Sequence, residues 1–351
     1  MPEIVRARRP GCAGLRPGAA AVVIQQVAAD STATGPEHTP QTVPPRRRRV
    51  PLRARLWRDY PVLILAIPGM LIILAFQYYP LYGNIIAFQD FQPYLGIGKS
   101  LWNGVQNFQV VINGDPEFLN AVKNTLILTL IQTVIVFPAP IIVALVLHSL
   151  MSNRIRQLVQ SILYLPHFMS WVIVVALFQQ VLGGTGMINN WLRSHGFDPI
   201  HVIGNAEAFR GLLTSQVIWK DTGWATILFL AVLSQIDRSL YEASAVDGAT
   251  RLRQMWHVSL PGLKPIVILL LILKLGDSLS VGFEQIILQQ PAVGRDASEV
   301  LDTYVYNNGI LGGAWGVAAA VGLVKGVIGL GLVLGANQLA HRLGEEGIYR
   351  S

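Results

Sequence analysis

Six stretches of this chain are each apolar over roughly the length of a bilayer crossing, and few architectures can absorb that many. A spanning helix needs about 20 mostly apolar residues, rising 1.5 Å each, to cover a hydrocarbon core of about 30 Å. Residues 126–147 and 162–182 meet this with no formal charge, and 62–79 nearly does. Three more carry charges: 212–233 holds Lys220 and Asp221, 266–288 holds Lys274, Asp277 and Glu284, and 315–339 holds Lys325. A large soluble protein can bury such helices singly. Here, however, only 13% of the 351 residues are charged, against about 25% in soluble domains, too few to clothe a water-facing surface. The expectation is an all-α integral membrane protein with six transmembrane helices over residues 59–345.

Charge placement orients the spans. Lys and Arg collect in short cytoplasmic loops. With the N-terminus inside, the inner segments hold Arg46 to Arg49, Arg53, Arg55, Arg58, Arg154, Arg156, Arg238, Arg251, Arg253, Lys264, Arg342 and Arg350. The outer ones hold Lys99, Arg193, Arg210 and Arg295, with Lys123 at a boundary, a bias of about threefold. Both termini are expected in the cytoplasm. Residues 1–58, rich in Pro, Ala, Gly and Arg, read as a disordered basic tail whose arginine run meets anionic lipid. A signal peptide is disfavoured because residues 19–29 are short and interrupted by Gln25 and Gln26. The single cysteine, Cys12, excludes an intrachain disulfide and a cysteine-built metal site.

The loop at residues 237–262 is the most informative segment. Ser239 and Glu242 have capping-box spacing, and Leu240, Ala243 and Val246 recur on one helical face. Gly248 stands where a left-handed helix end is wanted. A second short helix is expected from about Thr250 to Val258, with Pro261 stopping it. Physics alone describes a hairpin of two short helices at the membrane surface. A DNA-reading helix-turn-helix is excluded by its tethering to spans at both ends, and no nucleic-acid partner is expected.

Glu242-Ala-Ser-Ala-Val-Asp-Gly248, nine residues, then Val258-Ser-Leu-Pro261 resembles the EAA loop of binding-protein-dependent ABC transporter permeases. Ser244 for the second Ala and Val258 for Ile are the departures, and the spacing is whole. The resemblance implies a type I importer permease fold and a coupling role for Glu242, Ala243, Ser244, Asp247, Gly248, Ala249, Leu260 and Pro261. It also implies the partners: a cytoplasmic ATPase dimer, a second, non-identical permease and an external solute-binding protein, all at a bacterial inner or plasma membrane. Pro80, Phe88, Asn107-Phe108, Phe118, Asn124-Thr125, Gly186-Met-Ile-Asn189 and Trp219-Lys-Asp-Thr-Gly-Trp224 resemble the carbohydrate-type importers. Tyr164-Leu-Pro-His-Phe-Met-Ser-Trp171 resembles the narrower LplB-type branch, for oligosaccharides and polysaccharide fragments.

No nucleotide or other cofactor site is expected in the chain itself. Gly98-Lys99-Ser100 mimics the end of a P-loop, but Pro93 occupies the place of the first glycine. The intramembrane polar residues have two readings. Lys274 and Asp277, three apart, either pair structurally or, with Glu284, line a sugar path. Trp219 and Trp224 are either interface-belt residues or stacking surfaces for sugar rings. His167 is either a kink hydrogen bond or a substrate contact, and Lys325 either snorkels or pairs across a permease interface. The competing function classes are an ion-coupled secondary transporter or channel, and a membrane enzyme. The first has no detectable inverted repeat, and the second lacks HExxH or any comparable histidine spacing.

Overall fold

A computed structural model describes residues 59–149, 152–342 and 344. The basic tail expected at residues 1–58 lies outside them, as does Arg350. The chain divides into two units at Gly69. The described part of the first is the opening of a helix, and the packing below belongs to the second.

Helices supply nearly all of the regular structure among the described residues; Gln89–Asp90 and Leu101–Trp102 form a short antiparallel pair. The principal helices are α1 (Tyr60–Ile73), α2 (Pro116–Ile131), α3 (Pro138–Ser149), α4 (Asn153–Tyr164) and α5 (Trp171–Leu182). They continue with α6 (Ala206–Leu233), α7 (Arg238–Val246), α8 (Arg251–Gln254), α9 (Leu260–Gly276) and α10 (Trp315–Arg342). Among the described residues, five continuous stretches are long and apolar enough to span: Tyr60–Phe88, Pro116–Ser149, Trp171–Ser194, Arg251–Gly276 and Trp315–Arg342. The sixth, α6, meets the criterion together with α7, and a 76° bend separates the two.

Three of these stretches run straight through a proline by one device. A proline lacks the N–H that would bond the carbonyl four residues back, and its ring crowds that carbonyl. Wide π-turns at Leu74–Tyr78, Gln132–Val136 and Met255–Ser259 end two residues before Pro80, Pro138 and Pro261. In each, the residue preceding the proline donates to the carbonyl five back: Tyr79 to Leu74, Phe137 to Gln132, Leu260 to Met255. The wider turn makes room for the ring. Pro261 therefore does not stop the second hairpin helix, as its sequence suggested; α8 flows through it into α9.

Two spans differ from their expected bounds. Residues 162–182 are not one helix. After α4 comes a 3-10 turn, Leu165–Phe168, then extended backbone at Met169 and Ser170. The Ser170 hydroxyl accepts from the Ile173 amide and starts α5. The expected span 266–288 ends at Gly276, with Asp277 as its C-cap. Beyond it, Ser278, Ser280 and Gly282 (φ 55°) leave the helix, since short polar side chains and glycine compete poorly for helical backbone. Glu284 consequently sits exposed on the separate short helix Phe283–Ile287.

The core lies in three patches. Ala144, Phe229, Leu233 and Leu263 join α3, α6 and α9 at one end. Leu128, Phe209, Leu213, Ile286 and Val300 join α2 and α6 to the segment after α9. Phe118, Ala121, Leu301, Tyr304 and Val321 join α2 to α10. Motif residues act as backbone pins. Asn107 Nδ2 donates to the Ala87 and Gln89 carbonyls at 2.9 Å, and the Asn189 amide holds Gly183 and Ile200. Thr125 Oγ1 accepts from the Leu301 amide at 2.9 Å.

Lys325 finds its partner within this chain, in a close ion pair with Asp302, and both side chains are mostly covered. Lys325→Met should therefore destabilise by about 3 kcal/mol, the low end for breaking a buried pair. Adding Asp302→Asn should restore most of that loss. Thermal inactivation of the purified protein measures both.

Candidate functional site: a surface hairpin and a polar strip within the bundle

α7 begins at Asp237, not at the Ser239 capping box read from the sequence. The Asp237 carboxylate accepts from the Ser239 amide at 2.9 Å. That backbone bond, reinforced by the Ser239 side chain, holds the Asp237 carboxyl below its ordinary value. A depressed carboxyl stabilises the fold above its unfolded pKa and loses that contribution only as pH falls through the lower folded value. The cap is thus complete at neutral and mildly acidic pH.

The far end of α7 closes as a Schellman motif. The Ala249 amide bonds the Ser244 carbonyl at 2.9 Å, the Gly248 amide bonds the Ala245 carbonyl at 3.0 Å, and Gly248 sits at φ +75°. α8 returns, and Gln254 ties the two helices: its Nε2 donates to the Tyr241 carbonyl at 3.1 Å and to Ser244 Oγ at 3.0 Å. Ser244, the departure from the EAA pattern, thereby gains a structural role that alanine lacks. Tyr241 Oη lies 2.9 Å from Ser259 Oγ, and Arg251 donates to the Ser149 carbonyl at 2.7 Å. The hairpin is pinned to α3 and to the root of α9.

Its outer side is bare. Leu240, Ala243 and Val246, the apolar face read from the sequence, all point outward, with Val246 89% exposed. Glu242, Asp247 and Pro261 are exposed as well, while Ala249 and Leu260 are half-buried. Tyr241, Gln254, Ser259 and Asp237 escaped the sequence reading. Only the cap carried a local signal, Asp at the position before a helix.

The intramembrane residues group differently from the expectation. Lys274 does not pair with Asp277; its Nζ donates to Gln132 Oε1 at 2.8 Å, on the π-turn between α2 and α3. Lys274, Gln132 and Asp221 line one cavity of about 200 Å³. Asp277 lines another groove, of about 510 Å³, with Asp302 and Lys325. Asp277 caps α9, its amide still bonded to the Leu273 carbonyl at 3.2 Å, and its side chain opens to the second groove while that of Lys274 reaches Gln132.

On α6, Asp221 Oδ1 lies 3.0 Å from His167 Nδ1. The His167 ring stacks on Trp224 at 4.7 Å and 8°, and Tyr164 stacks on the same indole at 5.5 Å and 18°. Lys220, 7% exposed, donates to the His167 carbonyl at 2.7 Å beneath the Trp171 ring. Gly223 permits this approach: the Leu163 carbonyl rests where a β-carbon would be. Trp219 stands apart, edge-on to Phe178 at 5.8 Å. Lys274 and Trp224 thus join a common assembly with Gln132, Asp221 and His167, whereas Asp277, Glu284 and Trp219 lie elsewhere.

Residues 116–344 match the family described as the binding-protein-dependent transport system inner membrane component. The chain is 43% identical over 305 residues to the polygalacturonan/rhamnogalacturonan transport system permease protein YteP of Bacillus subtilis (strain 168), covering 87% of this chain and 95% of that one. It is 41% identical over 318 residues to Protein LplB of the same organism, covering 88% and 100%. Among solved structures, a bacterial alginate ABC transporter in complex with an alginate pentasaccharide-bound periplasmic protein superposes with a TM-score of 0.76. It is 35% identical, over 85% of this chain and 99% of that one. A second alginate-import transporter structure gives 0.75 at 36% identity, over 83% and 98%. A transport permease fold, a hairpin spaced as the EAA loop and these matches agree: the chain is a multi-pass membrane protein of the binding-protein-dependent transport system inner membrane component family.

Proposed function

We propose that this chain is one permease subunit of an ATP-driven importer that carries an oligosaccharide delivered by an external binding protein. The observation that carries the reading is the hairpin: a capped, cross-braced pair of helices with an apolar outer ridge, continuous with a membrane span. Leu240, Ala243 and Val246 are the kind of contiguous exposed apolar surface that marks a protein interface. A cytoplasmic ATPase dimer is the partner for it, with Glu242, Ala243, Ser244, Asp247, Gly248 and Ala249 at or beside the contact. Leu260 and Pro261 lie at the root of α9, where hairpin motion enters the span. In this reading the hairpin and both termini face the cytoplasm of a bacterial cell.

A second permease subunit completes the path, and the likeness to YteP and to the alginate transporters supports a sugar cargo. Alternating access follows mechanically. ATPase closure draws two hairpins together, the spans open outward, and hydrolysis resets them. Affinity purification of the tagged chain from its native membrane tests this. An ATPase and a second permease should co-purify, and a cysteine placed at Val246 should label only from the cytoplasmic side. Labelling from outside, or ATP-independent uptake by the purified chain, refutes the reading.

A further inference from the structure

We infer that the cavity enclosed by α4, α6 and the hairpin helix α7 is a binding site for an anionic phospholipid, whose phosphate is received by Arg156 and Arg238 and whose acyl chain lies along α6. The site requires only that the chain is a membrane protein. It depends on neither the importer reading nor the cargo.

The cavity measures about 600 Å³, and its basic and apolar groups are sorted to opposite ends. His148 is the second-last residue of α3, Arg156 lies in the first turn of α4, and Arg238 opens α7. All three meet where the hairpin is rooted. From there the wall on α6 runs back through Leu233 and Leu230 to Ile227, about 9 Å along the helix axis. A basic mouth beside an apolar wall fits an amphiphile with an anionic head. Free phosphate would leave the apolar end unfilled.

The two arginines have nothing in this chain to neutralise them. Neither guanidinium forms an ion pair or a hydrogen bond among the described residues, although Arg156 is half-buried. Arginine is rarely covered without a partner. Arg251, at the same end of the bundle, is the contrast, committed to the Ser149 carbonyl at 2.7 Å. The cavity lining holds a single carboxylate, Glu242, which is exposed and leaves the mouth with an excess of positive charge. Guanidinium forks match phosphate oxygens, and basic pockets between spanning helices hold lipid headgroups.

α4 is built to stand at the depth where headgroups meet acyl chains. Ile155, Leu158 and Ile162 are exposed along the side of the helix turned away from Arg156 and Gln160. That ridge suits hydrocarbon, while the arginine on the other side reaches toward the headgroup layer. Gln160, one turn deeper than Arg156, can donate to a glycerol or ester oxygen. On the hairpin side the Tyr241 ring stands 5.7 Å from His148, and its hydroxyl is held 2.9 Å from Ser259 Oγ. A lipid seated here touches α4 and the hairpin at once.

The test measures lipid retention by native mass spectrometry on the full chain, purified in detergent with any subunits that accompany it and then delipidated. The probes are dioleoylphosphatidylglycerol, dioleoylphosphatidylcholine and inorganic phosphate. Wild type should hold one phosphatidylglycerol per chain, about tenfold more tightly than phosphatidylcholine. Arg156→Gln combined with Arg238→Gln should weaken that binding about thirtyfold, the contribution of two basic side chains near a membrane surface. Arg154→Gln combined with Arg253→Gln removes the same charge from outside the cavity and should leave binding nearly unchanged. Ala231→Trp, which fills the apolar wall and alters no charge, should also displace the lipid. Equal affinity for the two lipids, equal weakening by the two arginine pairs, or full binding in Ala231→Trp overturns the site. Displacement of the lipid by millimolar inorganic phosphate overturns the lipid as its occupant. Absence of an ATPase from the purified material would instead overturn the importer reading, and the lipid measurement would still decide this one.

Discussion

A Gly248→Val transporter should assemble and hydrolyse ATP, yet import at no more than about a tenth of the wild-type rate. Gly248 sits at φ +75°, and nothing lies within 4 Å of the place a β-carbon would take. The effect is therefore conformational and not steric crowding from outside. Holding a side chain in the left-handed region costs about 1–2 kcal/mol, and a β-branched residue is the worst case. The hairpin has no large core to absorb this; its closure rests on the two Schellman bonds and on Gln254 reaching Tyr241 and Ser244. A residue that refuses φ +75° swings α8 away from α7 and misaligns the ridge of Leu240, Ala243 and Val246.

Grading the substitution separates this cause from loss of a contact. Gly248→Asn should transport well, since Asn enters the left-handed region readily, with Gly248→Ala intermediate. Glu242→Gln is the complementary probe. Glu242 makes no side-chain hydrogen bond among the described residues, so its replacement should leave stability unchanged and lower only coupled transport. Measuring ATP hydrolysis beside uptake decides the matter: normal uptake in both Gly248→Val and Glu242→Gln would remove the hairpin from the coupling path.

Gly223→Ala should be the most damaging methyl addition on α6. The added carbon meets the carbonyl oxygen of Leu163, and behind it the Leu163 carbonyl carbon and the Tyr164 amide. All three are backbone atoms, so no rotamer change relieves the clash. Overpacking typically costs about 1–3 kcal/mol, and a backbone-on-backbone contact belongs at the upper end. Relief requires the end of α4 and the turn Leu165–Phe168 to lift from α6. That motion would pull His167 from Asp221 and its carbonyl from Lys220. Lowered thermal stability should therefore accompany lost transport. Gly211→Ala, on the same helix with no atom within 4 Å, is the control and should be neutral or slightly stabilising. If both variants melt alike, close packing of α4 on α6 is not what Gly223 provides.

Sequence reasoning worked where the information is local. Spans announce themselves by length and apolarity, because a helix in lipid must satisfy its own backbone and meet hydrocarbon on its surface. Gly248 was legible for a similar reason: a left-handed helix end demands glycine, whatever surrounds it. Reasoning from single residues faltered when a neighbouring turn changed the rule. Pro261 reads as a stop until the π-turn at Met255–Ser259 widens the helix ahead of it. Residues 266–288 read as one apolar run, but Asp277, Ser278, Ser280 and Gly282 end α9 after Gly276.

The sequence by itself determined a multi-pass helical membrane protein and a hairpin of EAA spacing, since composition, run length and fixed intervals are properties of the chain alone. Only tertiary structure decided which polar groups meet. Lys274 takes Gln132, 142 residues away, in place of Asp277 three residues away, and His167 crosses 54 residues to reach Asp221. Those pairings depend on where broken helices and π-turns aim their side chains after packing. No periodicity within one segment encodes an encounter between two.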